Sequence, residues 1–475
     1  MRPETSFSGP DLCAKPAREV IQLLRNGEVT TSELIDASLA RMDQVDPQVN
    51  AVVTRCADRA RAVEPDTTTL LAGLPLGIKD LTEVAGVRTT FGTKGMEHHV
   101  PETSDPLVRR IEDRGGVVLG KTNTPELGAG ANTFNAVFGA TRNPWNTALN
   151  AAGSSGGAAV SLATGELWLS HGSDYGGSLR SPANYCGIVG LRPSPGVAGG
   201  SSAQLGFTNG GVEGPMARDV LDCALFLDAM AGYSRAWPIS FPAPDVPYFE
   251  TAQREAGTVR IAYTPDFNGF AAVNDEIKSV LQAALSSIRL PNVTVDAHCP
   301  DLPRLDETFR AMRCLSFLGS YQTTPPEIAQ HYKDTIKGNV ADADAMTFAD
   351  YACAERDRST IYNTMVGFFD TYDVLACPVN GLAPLPVEIE YPTEVAGRKM
   401  RDYIDWLQFA FLATVAGLPA LSLPVGYTPS GMPVGLQLIG PPRGEGRLLQ
   451  VAHLLEQALN LPVTLIDPMP PKANM

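Results

Sequence analysis

The chain contains 475 residues, of which 44% are hydrophobic and 19% are charged, the composition of an ordinary globular protein. Its net charge is -15 at pH 7 and its isoelectric point is about 4.9. Because phosphate groups are bound by an excess of Lys and Arg, this acidic balance argues against nucleic acid or an anionic membrane as the main partner.

The N-terminal part of the chain has helical periodicity. From Lys15 to about Val63, apolar residues recur at helical spacing on either side of a break that contains glycine. Thr31 or Ser32 can cap the second of the two predicted helices, because a hydroxyl at the N-cap accepts a hydrogen bond from the first turn. The sequence therefore predicts two successive helices here.

Strands and helices alternate in the middle of the chain. The run Val117 to Leu119 has the composition of a buried strand, and the residues after Gly157 read as helix, turn, strand and Gly-rich turn. A Pro- and aromatic-rich loop follows from Pro238 to Tyr248, then the strand "TVRIAYTP", mostly helical segments, two apolar strand regions and a C-terminal helix. This alternation predicts an α/β fold.

Glycine and proline are spread along the whole chain, so no low-complexity linker divides it. We therefore expect one domain over residues 1–475. Its predicted parts are an N-terminal helical segment at about 10–65, a catalytic core at about 66–235, a variable and mostly helical cover at about 238–370, and C-terminal core strands with a helix at about 371–465.

The stretch "AAGSSGGAAV" contains two adjacent serines, Ser154 and Ser155, and three interpretations stay open from its composition. A Gly/Ser linker is usually longer and more polar than this. A phosphate loop requires a lysine after the last glycine, where this chain has alanine. A nucleophile elbow with Ser155 as nucleophile requires a downstream catalytic histidine, and none of the histidines lies in a motif typical of catalysis.

A second Gly/Ser cluster lies between His171 and Ser194, and in it Ser178 directly follows Gly176 and Gly177. Small residues in a tight turn can direct several backbone N–H groups into one concavity, as an oxyanion hole requires. Ser178 comes 24 residues after Ser154, as the numbering shows (178 − 154). A helix and a strand fit into that interval, so the two turns can meet at one end of a sheet.

These motifs resemble those of the amidase signature family. The sequences "GSSGG", "GSDYGGSLR" and "CGIVGLRP" follow one another at the family spacing, "LPLGIKD", "GKTNTPELG" and "GATRNPWN" match the preceding blocks, and "GMPVGLQLIG" matches the C-terminal block. The resemblance covers about residues 15 to 460. It implies a large central mixed β-sheet covered by helices on both faces, and a serine hydrolase that acts on amides without a histidine.

The resemblance also implies roles for individual residues. Ser178 would be the nucleophile, Ser154 the bridging serine after a cis peptide bond, and Lys79 the base that must be neutral to accept a proton. Lys79 lies in an apolar run, and burial lowers the pKa of a lysine. Ser155, Asp174 and Arg180 would support these groups, Ser155 as a helix cap or a partner of the triad and the other two as an ion pair or backbone ligands. The oxyanion hole would consist of the backbone amides of Tyr175, Gly176, Gly177 and Ser178.

The loop after "NTPEL" has four small, uncharged side chains and should leave a wide pocket beside Ser178. The residues expected to line this pocket are Gly128, Ala129, Gly130, Ala131, Phe134, Leu205, Phe207, Trp406 and Phe409. No Arg or Lys of these segments is placed to hold a carboxylate. We therefore expect a neutral, bulky amide as substrate, with carbamates (urethanes) and esters as further substrates. The family also includes the amidase subunit of a tRNA-dependent amidotransferase, which is the alternative function.

The remaining expectations concern cofactors and location. The eight cysteines form no Cys-x-x-Cys pair, which argues against zinc, and the mechanism requires no cofactor. The first thirty residues lack a signal-peptide core, and no run of about 18 apolar residues predicts a membrane helix. We expect a cytoplasmic monomer or homodimer that acts on small molecules and binds neither nucleic acid nor membrane.

Overall fold

An 11-stranded mixed β-sheet runs through the computed structural model, which describes residues 3–200, 205–461 and 465–471. Two further sheets have two strands each. The strands are β1 (Val52–Arg55), β2 (Pro75–Lys79), β3 (Val117–Thr122), β4 (Phe134–Asn135), β5 (Gly139–Ala140), β6 (Ser170–Asp174), β7 (Val189–Arg192), β8 (Val212–Ala217), β9 (Val259–Tyr263), β10 (Val293–Ala297), β11 (Val374–Pro378), β12 (Glu394–Val395), β13 (Arg398–Lys399), β14 (Ala420–Tyr427) and β15 (Pro433–Ile439).

The strand order of the large sheet is β1-β3-β2-β6-β8-β7-β14-β15-β11-β9-β10. Strands β3, β2 and β6 are mutually parallel, and so are β11, β9 and β10, while the other neighbours pair antiparallel. Every residue of β2, β3, β7, β11 and β15 is buried. The centre of the sheet is therefore the core of the molecule, which requires cover on both faces.

Helices supply that cover, so the predicted α/β fold with a mixed sheet and flanking helices is confirmed. The helices of the described residues are α1 (Asp11–Ala14), α2 (Ala17–Asn26), α3 (Thr31–Val49), α4 (Ala57–Arg61), α5 (Pro106–Asp113), α6 (Gly156–Ala163), α7 (Arg180–Cys186), α8 (Val220–Met230), α9 (Tyr248–Gln253), α10 (Asp275–Ser287), α11 (Leu305–Tyr321), α12 (Pro326–Ala329), α13 (Asp334–Ala345), α14 (Phe348–Phe369), α15 (Gln408–Val415) and α16 (Glu445–Leu459).

The two N-terminal helices predicted from periodicity are α2 and α3, but the predicted cap of α3 is wrong by one residue. Thr30 is the N-cap: its hydroxyl accepts from the Glu33 amide, and the Glu33 carboxylate accepts from the Thr30 amide. This reciprocal capping box satisfies two N–H groups that a helix start leaves unpaired. Thr31 lies inside the helix and its hydroxyl donates to the Gly73 carbonyl.

The sheet takes strands from all four segments predicted along the sequence. Strand β1 belongs to the N-terminal segment, β9 and β10 to the predicted cover, and β11, β14 and β15 to the C-terminal part. Because one sheet unites these segments, we propose that the chain forms one domain. Among the described residues, no helix combines the length and the apolar character needed to cross a membrane.

Candidate active site

Two parallel strands bring the predicted base and the predicted nucleophile turn to the same edge of the sheet. Lys79 is the last residue of β2, and the turn Tyr175–Ser178 directly follows β6. The two strands pair in parallel, with Gly77 opposite Ser170. Since the carboxyl ends of parallel strands lie at one edge, Lys79 and the turn after Asp174 are neighbours.

The turn that carries Ser154 reaches the same edge through a close backbone approach. The peptide bond between Gly153 and Ser154 is cis, as the resemblance implies. A Cβ atom on Gly157, at the start of α6, would lie 2.3 Å from the Asn123 amide nitrogen, so only glycine lets the helix come this near to the end of β3. The Ser155 amide donates to the Ser178 carbonyl at 3.2 Å, which joins the two serine-bearing turns.

The Lys79 amino group is surrounded by serine hydroxyls. Its Nζ atom lies 2.7 Å from Ser154 Oγ, 2.8 Å from Ser155 Oγ and 3.0 Å from Ser173 Oγ. The side chain is fully buried, and none of the described carboxylates forms an ion pair with it. Burial lowers the pKa of Lys79 to about 7, although the charges of Glu213 and Asp174 act in the opposite direction. A substantial fraction of this lysine is therefore neutral near pH 7.

Ser155 occupies the N-cap position of α6, but its side chain caps nothing. Its hydroxyl instead lies against Lys79 Nζ and, at 3.3 Å, donates to the Ser173 carbonyl. Of the two roles that the sequence left open for Ser155, helix capping is therefore wrong. The contact with the buried lysine, at 2.8 Å, is the interaction that the structure gives this hydroxyl with the predicted triad.

Asp174 and Arg180 form the ion pair expected from the sequence, and Arg192 joins it. The Asp174 carboxylate accepts from Arg180 Nη2 at 2.8 Å and lies 3.3 Å from Arg192 Nη1. Burial alone would raise the pKa of Asp174, but the two guanidinium groups outweigh burial and hold this pKa well below its usual range. The carboxylate also accepts from the amides of Gly177 and Leu179, each at 3.1 Å. It thereby fixes the turn that contains Ser178.

This network changes the expectation for the oxyanion hole. The Gly177 amide, in a left-handed residue with φ +94°, donates to Asp174 and so is engaged within the protein. The amides of Tyr175, Gly176 and Ser178 donate to no acceptor among the described residues. Three of the four N–H groups expected in the oxyanion hole are therefore left without an acceptor in the described part of the chain.

His171 is buried beside Lys79 but does not contact its amino group. The Lys79 backbone amide donates to His171 Nδ1 at 3.4 Å, and His171 Nε2 lies 2.7 Å from a Glu213 carboxylate oxygen. The imidazole thus orients the end of β2. Ser173 and Glu213 were missed by the sequence analysis. Ser173 lies on the strand that leads into the nucleophile turn, and this position is the feature of the sequence that could have suggested it.

Both predicted catalytic serines open into one cavity of about 730 Å³. Its inner side contains Ser154, Ser173, Asp174, Tyr175 and Ser178. The outer wall comes from the predicted cover segment and includes Arg313, Ser316, Phe317, Ser320, Tyr321, Thr324, Ile328, Tyr332 and Ile336. The cover therefore shapes the space in front of the site, a function that the sequence did not reveal. Among the described residues, no cluster of His, Cys, Asp and Glu could hold a metal ion.

Two of the nine predicted pocket residues line this cavity, Gly128 and Leu205. A Cβ atom on Gly128 would lie 3.4 Å from Ser154 Oγ, so the missing side chain leaves space beside that hydroxyl. The small residues that follow do not contribute. Ala129 packs in a cluster with Tyr332 and Ile336, and Ala131 is buried in the main core.

The other predicted pocket residues are also placed elsewhere. Trp406 packs against Tyr185, and Phe409 packs against Phe267 in the core behind the site. Phe207 is 85% exposed. Gly130 and Phe134 lie beside Lys333 and not on the cavity: a Cβ atom on Gly130 would be 3.1 Å from Lys333 Nζ, and that Nζ lies 5.0 Å from the Phe134 ring centre.

Ala152 directly precedes Gly153 and the two serines of this turn. It adopts φ +56°, the left-handed region that favours glycine. The residue is fully buried, and its carbonyl accepts from the Thr133 hydroxyl at 2.9 Å. These contacts hold Ala152 in a conformation that costs an alanine more than a glycine.

Comparison with known proteins identifies the family. The Amidase family model matches residues 33–449. The chain belongs to the amidase family. This amidase is 33% identical over 452 residues to the acylamidase of Rhodococcus erythropolis, with 93% of this chain and 94% of that protein covered. It is 31% identical to the A subunit of the glutamyl-tRNA(Gln) amidotransferase of Halothermothrix orenii, with 93% and 97% covered.

A solved structure supports the same assignment. A bacterial aryl acylamidase described as a member of the amidase signature enzymes superimposes on this amidase with a TM-score of 0.87 and 25% identity, covering 94% of this chain and 96% of the other. The resemblance stated from the motifs is therefore confirmed. The protein is an amidase signature hydrolase that acts on amides.

Proposed function

We propose that this amidase cleaves bulky amides through an acyl-enzyme formed on Ser178. One observation carries the proposal: the amino group of buried Lys79 lies 2.7 Å from Ser154 Oγ, and Ser154 and Ser178 share one cavity. A serine hydroxyl is a weak nucleophile until a neighbouring base removes its proton. Lysine can serve as that base when it is neutral, and the lowered pKa of Lys79 meets this condition.

In the proposed reaction, protons move along the three side chains. Ser178 Oγ attacks the amide carbonyl and transfers its proton to Ser154, while Ser154 transfers its own proton to Lys79. The free amides of Tyr175, Gly176 and Ser178 stabilise the tetrahedral oxyanion. The proton then returns to the amine as it leaves. In the second step water attacks the acyl carbon and its proton passes through Ser154 to Lys79. The ester bond to Ser178 Oγ then breaks, the proton returns to that oxygen, and the acid is released.

The cavity supports a bulky substrate with a largely apolar body. Its volume of about 730 Å³ lies within the usual range for ligand sites, and apolar side chains from several elements line it. These side chains include Met96, Phe91, Phe317, Ile328 and Tyr332. The acylamidase and the aryl acylamidase among the relatives also favour an aryl or alkyl amide. Aryl carbamates (urethanes) and esters present the same carbonyl to Ser178, so we propose them as further substrates.

A second candidate function comes from the comparisons. Several relatives that are 30–33% identical are the A subunits of glutamyl-tRNA(Gln) amidotransferases. A protein of that kind requires partner chains, whereas a free-standing amidase acts alone. The net charge of -15 favours the free-standing amidase, because a tRNA-bound substrate is polyanionic and an acidic protein repels it.

We expect the purified chain alone to hydrolyse an acyl anilide with a kcat/KM at least about tenfold above that for glutamine, about 1.4 kcal/mol in transition-state binding. An aryl carbamate should also be cleaved. The reason is the wide, partly apolar cavity, which a small polar amide fills poorly. Steady-state rates on the three compounds check this, and a tenfold preference for glutamine would support the role in an amidotransferase instead.

A further inference from the structure

Arg313 is a buried cation in the wall of the catalytic cavity. It lies on α11, its side chain and backbone together are only 4% exposed, and it lines the cavity together with Phe317 on the same helix face. Its Nε and Nη2 atoms donate to the Tyr403 hydroxyl at 3.1 and 2.6 Å. Its guanidinium carbon lies 4.8 Å from the Phe317 ring centre and 5.6 Å from that of Tyr175.

Arg313 has no carboxylate partner among the described residues, unlike the other arginines near it. Arg310, one turn earlier on α11, is paired with Asp306, Asp402 and Asp405. A guanidinium carries five N–H donors. Within the described part of the chain, one phenol oxygen, that of Tyr403, accepts all the hydrogen bonds that Arg313 donates. Burying an unpaired charge is costly. The remaining donors are therefore available to an anion inside the cavity.

The position of Arg313 connects this donor group to the reaction centre. The Tyr175 ring packs against Arg313, and the Tyr175 backbone belongs to the turn that ends in Ser178. Arg358 and Arg192 add positive charge around Tyr175, but Arg192 is paired with Asp174 and Arg358 donates to Asn209 and the Val415 carbonyl. A ligand in contact with Arg313 thus shares the cavity with a carbonyl at Ser178.

The carboxylates of the cavity come from other elements. Glu213 lies on β8 beside His171, Glu83 lies after β2 beside His99, and Asp105 caps α5. The fourth, Asp174, ends β6 and is paired with Arg180 and Arg192. These acidic groups repel an anion, whereas the α11 side attracts one. The cavity is therefore polarised, with its unpaired cation on the cover and its acidic groups on the catalytic core.

We propose that Arg313 is an anion-binding subsite and that the substrates include amides that carry a carboxylate in the same molecule as the scissile bond. This inference rests on the proposed amide hydrolysis and specifies its substrate class. The expectation of a wholly neutral substrate was based on segments other than α11. Because α11 contributes Arg313 to the cavity wall, we propose a substrate that carries a carboxylate instead. An apolar body would lie along Phe317 and its neighbours while the carboxylate binds the guanidinium through charge-assisted hydrogen bonds.

The test compares matched anilides on wild type and on three variants. Butyranilide is the neutral reference, succinic acid monoanilide places a carboxylate on the acyl side, and 4-(butyrylamino)benzoic acid places it on the amine side. The variants are Arg313→Gln, Arg313→Lys and the control Arg356→Gln, whose side chain on α14 is 70% exposed and lies outside the cavity. The kcat/KM for butyranilide separately tests the proposed function.

In wild type, at least one carboxylate-bearing anilide should exceed butyranilide by about tenfold in kcat/KM. Arg313→Gln should lower kcat/KM for that charged anilide more than for butyranilide and so remove this preference. Arg313→Lys should keep part of the preference, and Arg356→Gln should keep all of it. Equal rates on all three anilides in wild type, or equal losses on all three in Arg313→Gln, would overturn the proposal.

A binding measurement decides the matter even where hydrolysis fails or the glutamine variant does not fold. Calorimetric titration of Ser178→Ala protein should show tighter binding of a carboxylate-bearing anilide than of butyranilide. In protein that carries both Ser178→Ala and Arg313→Lys, the difference between the two affinities should be smaller. Equal affinities for the charged and neutral anilides would contradict the subsite.

Discussion

Ser178→Ala is expected to reduce turnover of an acyl anilide by on the order of 10⁴-fold or more, because it removes the atom that forms the acyl-enzyme. Ser155→Ala should retain a reduced but measurable rate. Its hydroxyl lies 2.8 Å from Lys79 Nζ and positions the base without attacking the substrate. Steady-state and single-turnover rates on the purified variants check both expectations.

Ser181→Ala is the matched control for this pair. Ser181 lies on α7, three residues beyond Ser178, is almost completely buried, and does not line the cavity. It should therefore retain close to the wild-type rate. If Ser155→Ala removed turnover while Ser178→Ala retained it, the nucleophile elbow that the sequence left open would be correct and Ser178 would not be the nucleophile.

Replacement of Lys79 is expected to cost on the order of 10²- to 10⁴-fold in kcat/KM, the usual contribution of a general base. Lys79→Met removes the amino group and keeps much of the volume. Lys79→Arg should not restore activity, because a guanidinium remains protonated and cannot accept a proton. Lys278→Arg, at a partly exposed surface position paired with Asp275, is the control and should act like wild type.

The pH profile gives an independent measure of the same group. Burial lowers the pKa of Lys79 to about 7, so the amine is protonated below this pH and neutral above it. Because only the neutral amine accepts a proton, kcat/KM should fall about tenfold per pH unit below the pKa and level off above it. A near-normal rate in Lys79→Arg, or an acid limb that persists unchanged in Lys79→Met, would show that another group is the base.

The inner part of the site could be predicted because it is local in sequence. Short motifs contain Lys79, Ser154 and Ser178, and each motif ends a strand or begins a helix, so the parallel sheet brings them together. The Asp174–Arg180 ion pair spans only six residues. Spacing of this kind constrains geometry strongly, and the resemblance to the amidase signature family supplied the roles.

The outer wall could not be predicted, because it depends on how distant elements pack. The periodicity of α11 places Arg313 and Phe317 on one face, but nothing in the sequence indicates that this face covers the edge of the sheet. Aromatic residues were equally ambiguous. Trp406 and Phe409 are apolar enough for a pocket and lie in the core instead, since hydrophobicity alone does not distinguish a cavity wall from core packing.

The Gly177 amide illustrates a finer limit. The Gly-Gly turn indicated several N–H groups directed into one concavity. One of them, the Gly177 amide, instead donates to the Asp174 carboxylate within the protein. A sequence shows which backbone donors exist and not which acceptors they meet, because those acceptors depend on turn geometry.

Locating the covalent adduct tests the central claim most directly. Trypsin cleaves after Arg142 and Arg180, so Ser154, Ser155 and Ser178 fall within one peptide. An aryl carbamate that carbamoylates the enzyme, followed by an acid quench and fragmentation of this peptide, assigns the added mass to one serine. We expect the added mass on fragments that contain Ser178 and its absence from fragments that contain only the first two serines. An adduct on Ser155 or Ser154 would contradict the account.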